Sequence, residues 1–263
     1  MRGLKRLMIN ADDFGFAHDV NAGIVYAHRH GVLTSTTLMA NGTAFEDAVH
    51  LARETPSLDI GCHLVLVQGR SVNTGQPLPQ TISQLLIALG RNKIDVHSEL
   101  RAQIEKIFAA GLRPTHLDTH KHAHIVPAVF RVVVRLAHEF GIPYVRLPLD
   151  ETVPFGRVPC RLAGRLYRRF ASAQNTRMTD HFLGFRLTGS LTVDTFRQAL
   201  LSLPNGNTEF MCHPGFVSTE LQRAATRLKD SRGRELEALT APGIREWIAA
   251  QNICLTGFDG LSA

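Results

Sequence analysis

The chain has 263 residues, of which 44% are hydrophobic and 20% charged; this composition excludes a disordered protein and supports one large domain or two small ones. The formal net charge is +6, but no zinc finger, aromatic RNA-binding signature or long lysine run accompanies it, so we expect no nucleic-acid partner. The first residues, MRGLKRLMINADDFG, contain too short an apolar run for a signal peptide or a membrane span, and the four scattered cysteines fit a reducing cytoplasm.

Strand-like and helix-like segments alternate along the chain. Short apolar or β-branched runs predict strands over residues 4–11, 34–40, 59–67, 115–118 and 143–148, and later over 208–212 and 253–258. Apolar positions at helical spacing predict helices over residues 20–30, 43–54, 96–108, 193–201 and 243–250, and another from Pro127 to a stop signal at Gly141. A capping box of Thr43 and Glu46 is expected to begin the second helix.

Repeated strand–helix units favour a mostly parallel sheet. Seven or eight strands are close to the number that a TIM-like (βα) barrel needs, so we predict an α/β fold with a single barrel, either regular or distorted and incomplete. A doubly wound open sheet is the alternative. We expect one domain over residues 1–263, in which residues 150–190 form an irregular, basic, helical insertion and residues 68–80 form a loop over the active-site face.

Carboxylates and histidines cluster where the predicted strands end. Taken singly, each has an ordinary explanation, because aspartates often cap turns and a buried histidine is usually hydrogen-bonded in the core; we place His116 in that core class. The carboxyl ends of parallel strands meet at one face, however, so four such ends bearing these side chains predict a metal site. The residues concerned are Asp12, Asp13, His63, Asp118, His120, His122, His124 and His213.

Five segments occur in order over most of the chain: NADDFG, TSTTLMANG, IGCHLVLVQG, PTHLDTHKHAH and MCHPG. Together they resemble the YdjC-like carbohydrate deacetylase family, and the run from HGVLTSTTLMANG to IGCHLVLVQGR is most similar to its hopanoid-biosynthesis-associated members. The resemblance implies a TIM-like barrel, one divalent metal ion and hydrolysis of the N-acetyl group of an amino sugar. The substrate would be a carbohydrate or a glycolipid such as an N-acetylglucosaminyl hopanoid. Lys121 stands where the family has a histidine, so no role is carried over to that position.

The resemblance also implies roles for individual residues. Asp13, His63 and His120 would be the metal ligands, and one carboxylate with two imidazoles leaves open positions on a divalent ion such as magnesium or zinc. Asp12, next to the first ligand, would be the general base that takes the proton of the attacking water. His213 would be the acid that protonates the leaving amine.

Three further residues have more than one interpretation. Asp118 is expected to hold a ligand histidine through its other ring nitrogen. Arg146 ends the fifth predicted strand, where it would bind an oxyanion or sugar hydroxyl of the substrate or else pair with a carboxylate. If the loop after the fourth strand is helical, His124 shares a face with His120 and either competes with His63 as a ligand or contacts the substrate.

Residues 157–170 combine an apolar stripe with flanking arginines. In one interpretation the stripe packs on the barrel and the arginines are solvated. In the other, the helix lies on an anionic membrane at the inner face and brings the site to a lipid-linked sugar. A monomer and a homodimer are both compatible with the sequence. The stripe comprises Val158, Leu162, Leu166 and Phe170, and the arginines are Arg157, Arg161, Arg165, Arg168 and Arg169.

Two other functions compete with deacetylation. A metal phosphoesterase or sugar isomerase on the same barrel would need a second set of bridging carboxylates or a glycine-rich anion loop, and the sequence offers neither. A non-catalytic carbohydrate- or metal-binding protein would need neither a general base at Asp12 nor an acid at His213. The sequence therefore favours the enzyme.

Overall fold

One parallel sheet organises the chain in the computed structural model, which describes residues 4–147, 149 and 157–261, with no side chains for 157–161. Its strands are β1 (Lys5–Phe14), β2 (Ser35–Leu38), β3 (Asp59–Leu64), β4 (His116–Thr119), β5 (Tyr144–Val145), β6 (His181–Leu183), β7 (Gly206–Cys212) and β8 (Ile253–Leu255). The helices in this part of the chain are α1 (His18–His30), α2 (Phe45–Glu54), α3 (Ile82–Gly90), α4 (Val96–Ala109), α5 (Pro127–Glu139), α6 (Arg157–Ser172), α7 (Val193–Leu201), α8 (Thr219–Arg223), α9 (Asp230–Leu239) and α10 (Ile244–Ala250).

The sheet is centred on β1, which is buried from Leu7 to its end. Its strand order is β5-β4-β3-β2-β1-β7-β6, with β8 paired to β1. β7 runs along one edge of β1. On the other edge, β8 lies beside the first residues of β1 and β2 lies beside its last residues. Burial on both faces explains the apolar run Leu7–Ile9, whereas Asn10, Asp12 and Asp13 later in the strand are buried polar residues.

The sheet curls strongly. Arg146, directly after β5, forms an ion pair with Glu209 on β7 at 2.7 Å, although four strands lie between β5 and β7 in the sheet order. On the open side, the backbone N–H of Val145 donates to the carbonyl of Arg177, a few residues before β6. The predicted TIM-like barrel, in its distorted and incomplete form, is therefore confirmed, and the doubly wound alternative is excluded.

Most predicted elements form close to their predicted limits, and the differences involve short or locally ambiguous segments. The pattern missed α3, β6, α8 and α9. The range predicted as a basic helical insertion contains α6, but it also contributes β6, which pairs with β7. The capping box is wrong, because the Thr43 hydroxyl donates to the carbonyl of Phe16 and α2 begins after Ala44 without a side-chain cap. None of the described helices is both long and apolar enough to cross a bilayer.

Helix α1 packs unusually close to the loop after β7. A Cβ on Gly23 would lie 2.5 Å from the Cα of Gly215, so the two backbones approach each other through a position that only glycine allows. The Gly215 loop follows His213 directly. Close packing of α1 therefore fixes the loop that carries one of the predicted catalytic residues.

We expect Gly23→Ala to destabilise the protein by about 1–3 kcal/mol, because the added methyl group meets backbone that must shift. The measurement is the free energy of unfolding from denaturant titration. Gly90→Ala at the end of α3 is the matched control, since a Cβ there has no neighbour within 4 Å and should be neutral or slightly stabilising. Equal stability of the two variants would contradict the close approach.

Candidate metal centre and active site

A cavity of about 770 Å³ opens at the carboxyl ends of the strands. Its lining includes Asp12 and Asp13 from the end of β1, His63 from β3, His120 from the segment after β4, and His213 from the end of β7. Parallel barrels bring the ends of their strands to this face, which explains how residues up to 201 positions apart in sequence meet here. The structure thus brings together the predicted ligands, base and acid.

Asp13, His63 and His120 face one another at the cavity floor. Nε2 of His63 lies 3.3 Å from Nδ1 of His120, and the two nitrogens lie 3.4 and 3.1 Å from Oδ1 of Asp13. Two ring nitrogens and a carboxylate oxygen directed at one point form a donor set that suits a divalent cation. Among the described residues, two groups of three His, Cys, Asp or Glu side chains have possible ligand atoms within 4.8 Å of one another, and this is one of them. The other comprises Asp12, His63 and Asp118.

The carboxylate of Asp118 fixes the orientation of His63. Nδ1 of His63 lies 2.7 Å from Oδ1 of the fully buried Asp118, so the ring donates from Nδ1 and presents the Nε2 lone pair to the cavity. Burial lowers the pKa of His63, but Asp118 and Asp12 outweigh burial and raise it to about 10. The position of His63 therefore strongly favours a positive charge, whether a proton or a bound cation.

Asp13 adopts a left-handed conformation, with φ of 72°, which is strained for a non-glycine residue and is often found at functional sites. Its second oxygen, Oδ2, accepts a hydrogen bond from Nη2 of the buried Arg232 at 2.5 Å. Burial raises the pKa of Asp13, but Arg232 and the two histidines hold it well below its ordinary value. Asp13 thus stays ionised and offers Oδ1 to the histidines.

The segment after β4 is not a regular helix, so the condition under which His124 would share a face with His120 is not met. Lys121 and His122 have φ values of 54° and 51°, and this left-handed turn breaks the short 3-10 segment His120–Ile125. His124 therefore points into the core, where Nδ1 meets the hydroxyl of Thr119 at 2.5 Å. His122, not His124, lines the cavity, so the structure places His124 outside both the candidate metal cluster and the cavity lining.

Arg146 lies behind the cavity and not in its lining. Its guanidinium group donates to both oxygens of Asp12 at 2.6 and 2.8 Å and to Oε1 of Glu209 at 2.7 Å. It also forms an ion pair with Oδ2 of Asp118 at 2.7 Å. The expected substrate contact is therefore corrected to the alternative interpretation, a structural pairing with carboxylates. Burial raises the pKa of Asp12, but Arg146 outweighs it and holds that pKa well below its ordinary value. Burial raises the pKa of Glu209 to about 7.

His213 closes the cavity on the other side of Asp12. Nε2 of His213 lies 4.0 Å from Oδ2 of Asp12, and its backbone N–H donates to Oε2 of the buried Glu235 at 2.6 Å. Sequence reasoning missed Glu235 and Arg232, because α9 is rich in charged residues and its pattern is that of a solvated helix. Both side chains are nonetheless buried.

The loop over the active-site face was predicted, but its contact with the site was not. Gln68 begins this loop and places Oε1 3.4 Å from Nε2 of His120. The loop is held by the buried Glu99 of α4, which accepts hydrogen bonds from the backbone N–H groups of Val72 at 3.0 Å and Asn73 at 3.2 Å. A helix outside the barrel thus supports one wall of the cavity.

Residues 6–250 match the family model described as YdjC-like protein. A carbohydrate deacetylase from Brevibacillus brevis is 35% identical over 269 residues, with 97% of this chain and 99% of the relative covered. A carbohydrate deacetylase from Clostridium beijerinckii is 33% identical over 272 residues, with 97% of this chain and all of the relative covered. A third, from Geobacillus stearothermophilus, is 34% identical, with 94% of both chains covered.

Solved structures share the fold. A protein from Enterococcus faecalis, assigned provisionally to cellobiose-phosphate cleavage, superimposes with a TM-score of 0.80 at 28% identity, covering 98% of this chain and 99% of that one. The lactam utilization protein of Thermus thermophilus superimposes with a TM-score of 0.52 at 14% identity, covering 96% and 99%. The second likeness concerns the fold alone.

We expect Arg146→Met to destabilise the protein by about 3–5 kcal/mol, because it leaves buried carboxylates without a compensating charge. The loss should be larger at pH 8 than at pH 5. Without the guanidinium group the buried carboxylates have raised pKa values, so the folded variant becomes less stable as rising pH ionises them. Denaturant unfolding at both pH values measures it. Arg131→Met on the exposed face of α5 is the control and should change stability by less than about 0.5 kcal/mol. Similar effects of the two substitutions would contradict the central role of Arg146.

Proposed function

The chain belongs to the YdjC-like protein family, and from this membership and the site geometry we propose that it hydrolyses the N-acetyl group of an acetylated amino sugar and releases acetate. The relatives described as carbohydrate deacetylases cover nearly the whole chain. The observation that carries the proposal is the ionised Asp12 beside the Asp13, His63 and His120 cluster, at the floor of a single cavity.

We infer that Asp13, His63 and His120 hold one divalent ion. Such an ion, when bound, would polarise the acetamide carbonyl and make water more acidic. The protein prepares the position in two ways. Asp118 directs the lone pair of His63 to the cavity, and Arg232 occupies the outer oxygen of Asp13. A carboxylate with two imidazoles accepts zinc, and the carboxylate also suits magnesium, so metal titration decides between them.

Asp12 and His213 divide the proton transfers. Arg146 keeps Asp12 ionised at neutral pH, so its carboxylate accepts a proton from the attacking water. The hydroxyl of that water joins the acetyl carbon, the carbon–nitrogen bond breaks, and the products are acetate and a free amine. His213, whose backbone is held by Glu235, donates the proton that the departing nitrogen requires.

The test is acetate release from N-acetylglucosamine oligomers and N-acetylated glycolipids, with and without chelator. We expect Asp12→Asn to retain metal and to lower kcat about 10²–10⁴-fold, because the amide cannot accept a proton. Asp13→Ala and His63→Ala should lose metal and activity together. His97→Ala, at a histidine whose side chain is 49% exposed, is the matched control. Normal metal content in Asp13→Ala would contradict the ligand set, and metal binding without acetate release would favour a non-catalytic protein.

We further propose a glycolipid substrate, such as an N-acetylglucosaminyl hopanoid, that is reached at a membrane surface. Helix α6 supports this proposal, because Leu162 and Leu166 are 60% and 61% exposed and the neighbouring Arg165 and Arg169 are also exposed. The stripe therefore does not pack on the barrel at these two positions. The side chains of Arg157, Val158 and Arg161 lie outside the described residues.

The position of α6 also supports this proposal. The hydroxyl of Tyr167 donates to the carbonyl of Ile125 at 2.6 Å, at the end of the segment that begins with His120. Apolar and cationic side chains thus lie beside the segment that supplies a metal ligand. This is the composition of an interfacial helix.

We expect the protein to sediment with anionic liposomes at low salt and to be released at high salt. The paired substitution Arg165→Gln and Arg169→Gln should weaken binding about tenfold or more, because each arginine near an anionic surface contributes about 1 kcal/mol. The same paired change at Arg131 and Arg135, two exposed arginines at the same spacing on α5, is the control. Absence of binding at low salt, or equal loss in both pairs, would leave the substrate a soluble sugar.

A further inference from the structure

A chain of hydrogen bonds crosses the interior of the barrel and ends at Asp12. Nδ2 of Asn10 lies 3.1 Å from Oδ1 of Asp12, and Oδ1 of Asn10 lies 2.9 Å from Nε2 of His116. Nδ1 of His116 lies 2.8 Å from the hydroxyl of Thr115, which lies 2.6 Å from Oδ1 of Asp59. Asp59 begins β3, so the chain runs from the opposite end of the barrel to the active site.

The two oxygens of Asp12 differ in their surroundings. Oδ1 accepts from Nη2 of Arg146 at 2.6 Å and from Asn10 at 3.1 Å. Oδ2 accepts from Nη1 of Arg146 at 2.8 Å and lies toward His213 at 4.0 Å. Asn10 therefore fills the remaining capacity of Oδ1, and Oδ2 is the oxygen that has a lone pair directed at the cavity.

His116 determines which way the Asn10 amide faces. The Nε2–H of a neutral ring donates to Oδ1 of Asn10, so the amide N–H group must point at Asp12. The reversed amide would set its carbonyl oxygen against the Asp12 carboxylate and its N–H group against the N–H of His116. Burial beside Arg146 holds the pKa of His116 well below its ordinary value, which keeps the ring neutral with one donor and one acceptor.

The His116 ring is itself held on every side. It stacks on Phe258 at 3.9 Å between ring centroids with an interplanar angle of 15°. Gly61 makes room for it, since a Cβ there would lie 2.6 Å from Cε1 of the ring. The ionised Asp12 carboxylate accepts from the Asn10 amide N–H group, so the carbonyl oxygen of Asn10 faces Nε2 and assigns the hydrogen of the neutral ring to that nitrogen. A core that needed only packing would be filled by an apolar side chain of this size.

We propose that Asn10 and His116 are positioning residues for the hydrolysis, which fix the Asp12 carboxylate so that Oδ2 alone accepts the proton of the attacking water. This inference rests on the proposed function. It adds a role to His116, which the sequence placed only in the core. Thr115 connects the His116 ring to Asp59.

The experiment compares Asn10→Ala and His116→Ala in the metal-loaded enzyme. We expect kcat to fall about 10- to 100-fold, the effect of a misplaced reacting group, with KM and metal content unchanged. The double variant should be no slower than the slower single variant, because both residues act through one contact. The control is Ser35→Ala, which removes a fully buried hydroxyl that is not part of this series of hydrogen bonds. It should retain wild-type kcat.

The decisive comparison introduces the same substitutions into the Asp12→Asn variant, in which the base is already removed. There, His116→Ala and Asn10→Ala should leave the residual rate unchanged, whereas a merely structural role would lower it by the same factor as in the wild type and overturn the proposal. Nitrogen NMR of ¹⁵N-histidine-labelled protein gives a readout independent of acetate release. We expect the His116 proton on Nε2, and a proton on Nδ1 would overturn the proposal. Absence of acetate release from wild-type enzyme would instead contradict the proposed function.

Discussion

A single buried guanidinium group makes this active site possible. Arg146 pairs with Asp12, Asp118 and Glu209, and without a cation between them three neighbouring carboxylates could not remain buried. Each pairing has a consequence at the cavity. Asp12 stays ionised, Asp118 remains available to orient His63, and Glu209 connects the charge cluster to β7. The chemistry at the surface of the site therefore depends on a residue that does not touch the cavity.

The same residue connects the site to the shape of the sheet. Arg146 follows β5 at one end of the strand order, and Glu209 lies on β7 near the other end. Their contact can form only if the sheet curls, and once formed it holds the curl. A second buried arginine, Arg232 on α9, pairs in the same way with Asp13. Two buried arginines from distant segments thus neutralise the two adjacent aspartates of the first strand.

The interior of the barrel is polar along its length, which is costly unless the groups are paired. The chain from Asp59 to Asp12 satisfies each group in turn, and Thr37 adds a hydroxyl that donates to Oδ2 of Asp118 at 3.2 Å. A buried hydrogen-bonded network of this kind restricts the motion of its members. Rigidity at the level of the base and the ligand histidine is what a hydrolytic site needs, because small misplacements of reacting groups are expensive in rate.

The sequence by itself determined most of the strands and helices, with α3, β6, α8 and α9 missed, and most of the strand-end residues that meet at the cavity. Both are reported by local patterns: hydrophobic periodicity predicts the elements, and the geometry of parallel strands gathers Asp13, His63 and His120. Only the tertiary structure decided what stands behind them. Arg146 pairs with Asp12 across 134 residues, Arg232 and Glu235 look like solvated charges on a polar helix, and the left-handed turn after His120 exchanges His122 for His124. Local patterns carry no information about a partner far away in the chain. The identity of a charged residue therefore does not show whether its side chain is solvated or paired with a buried carboxylate.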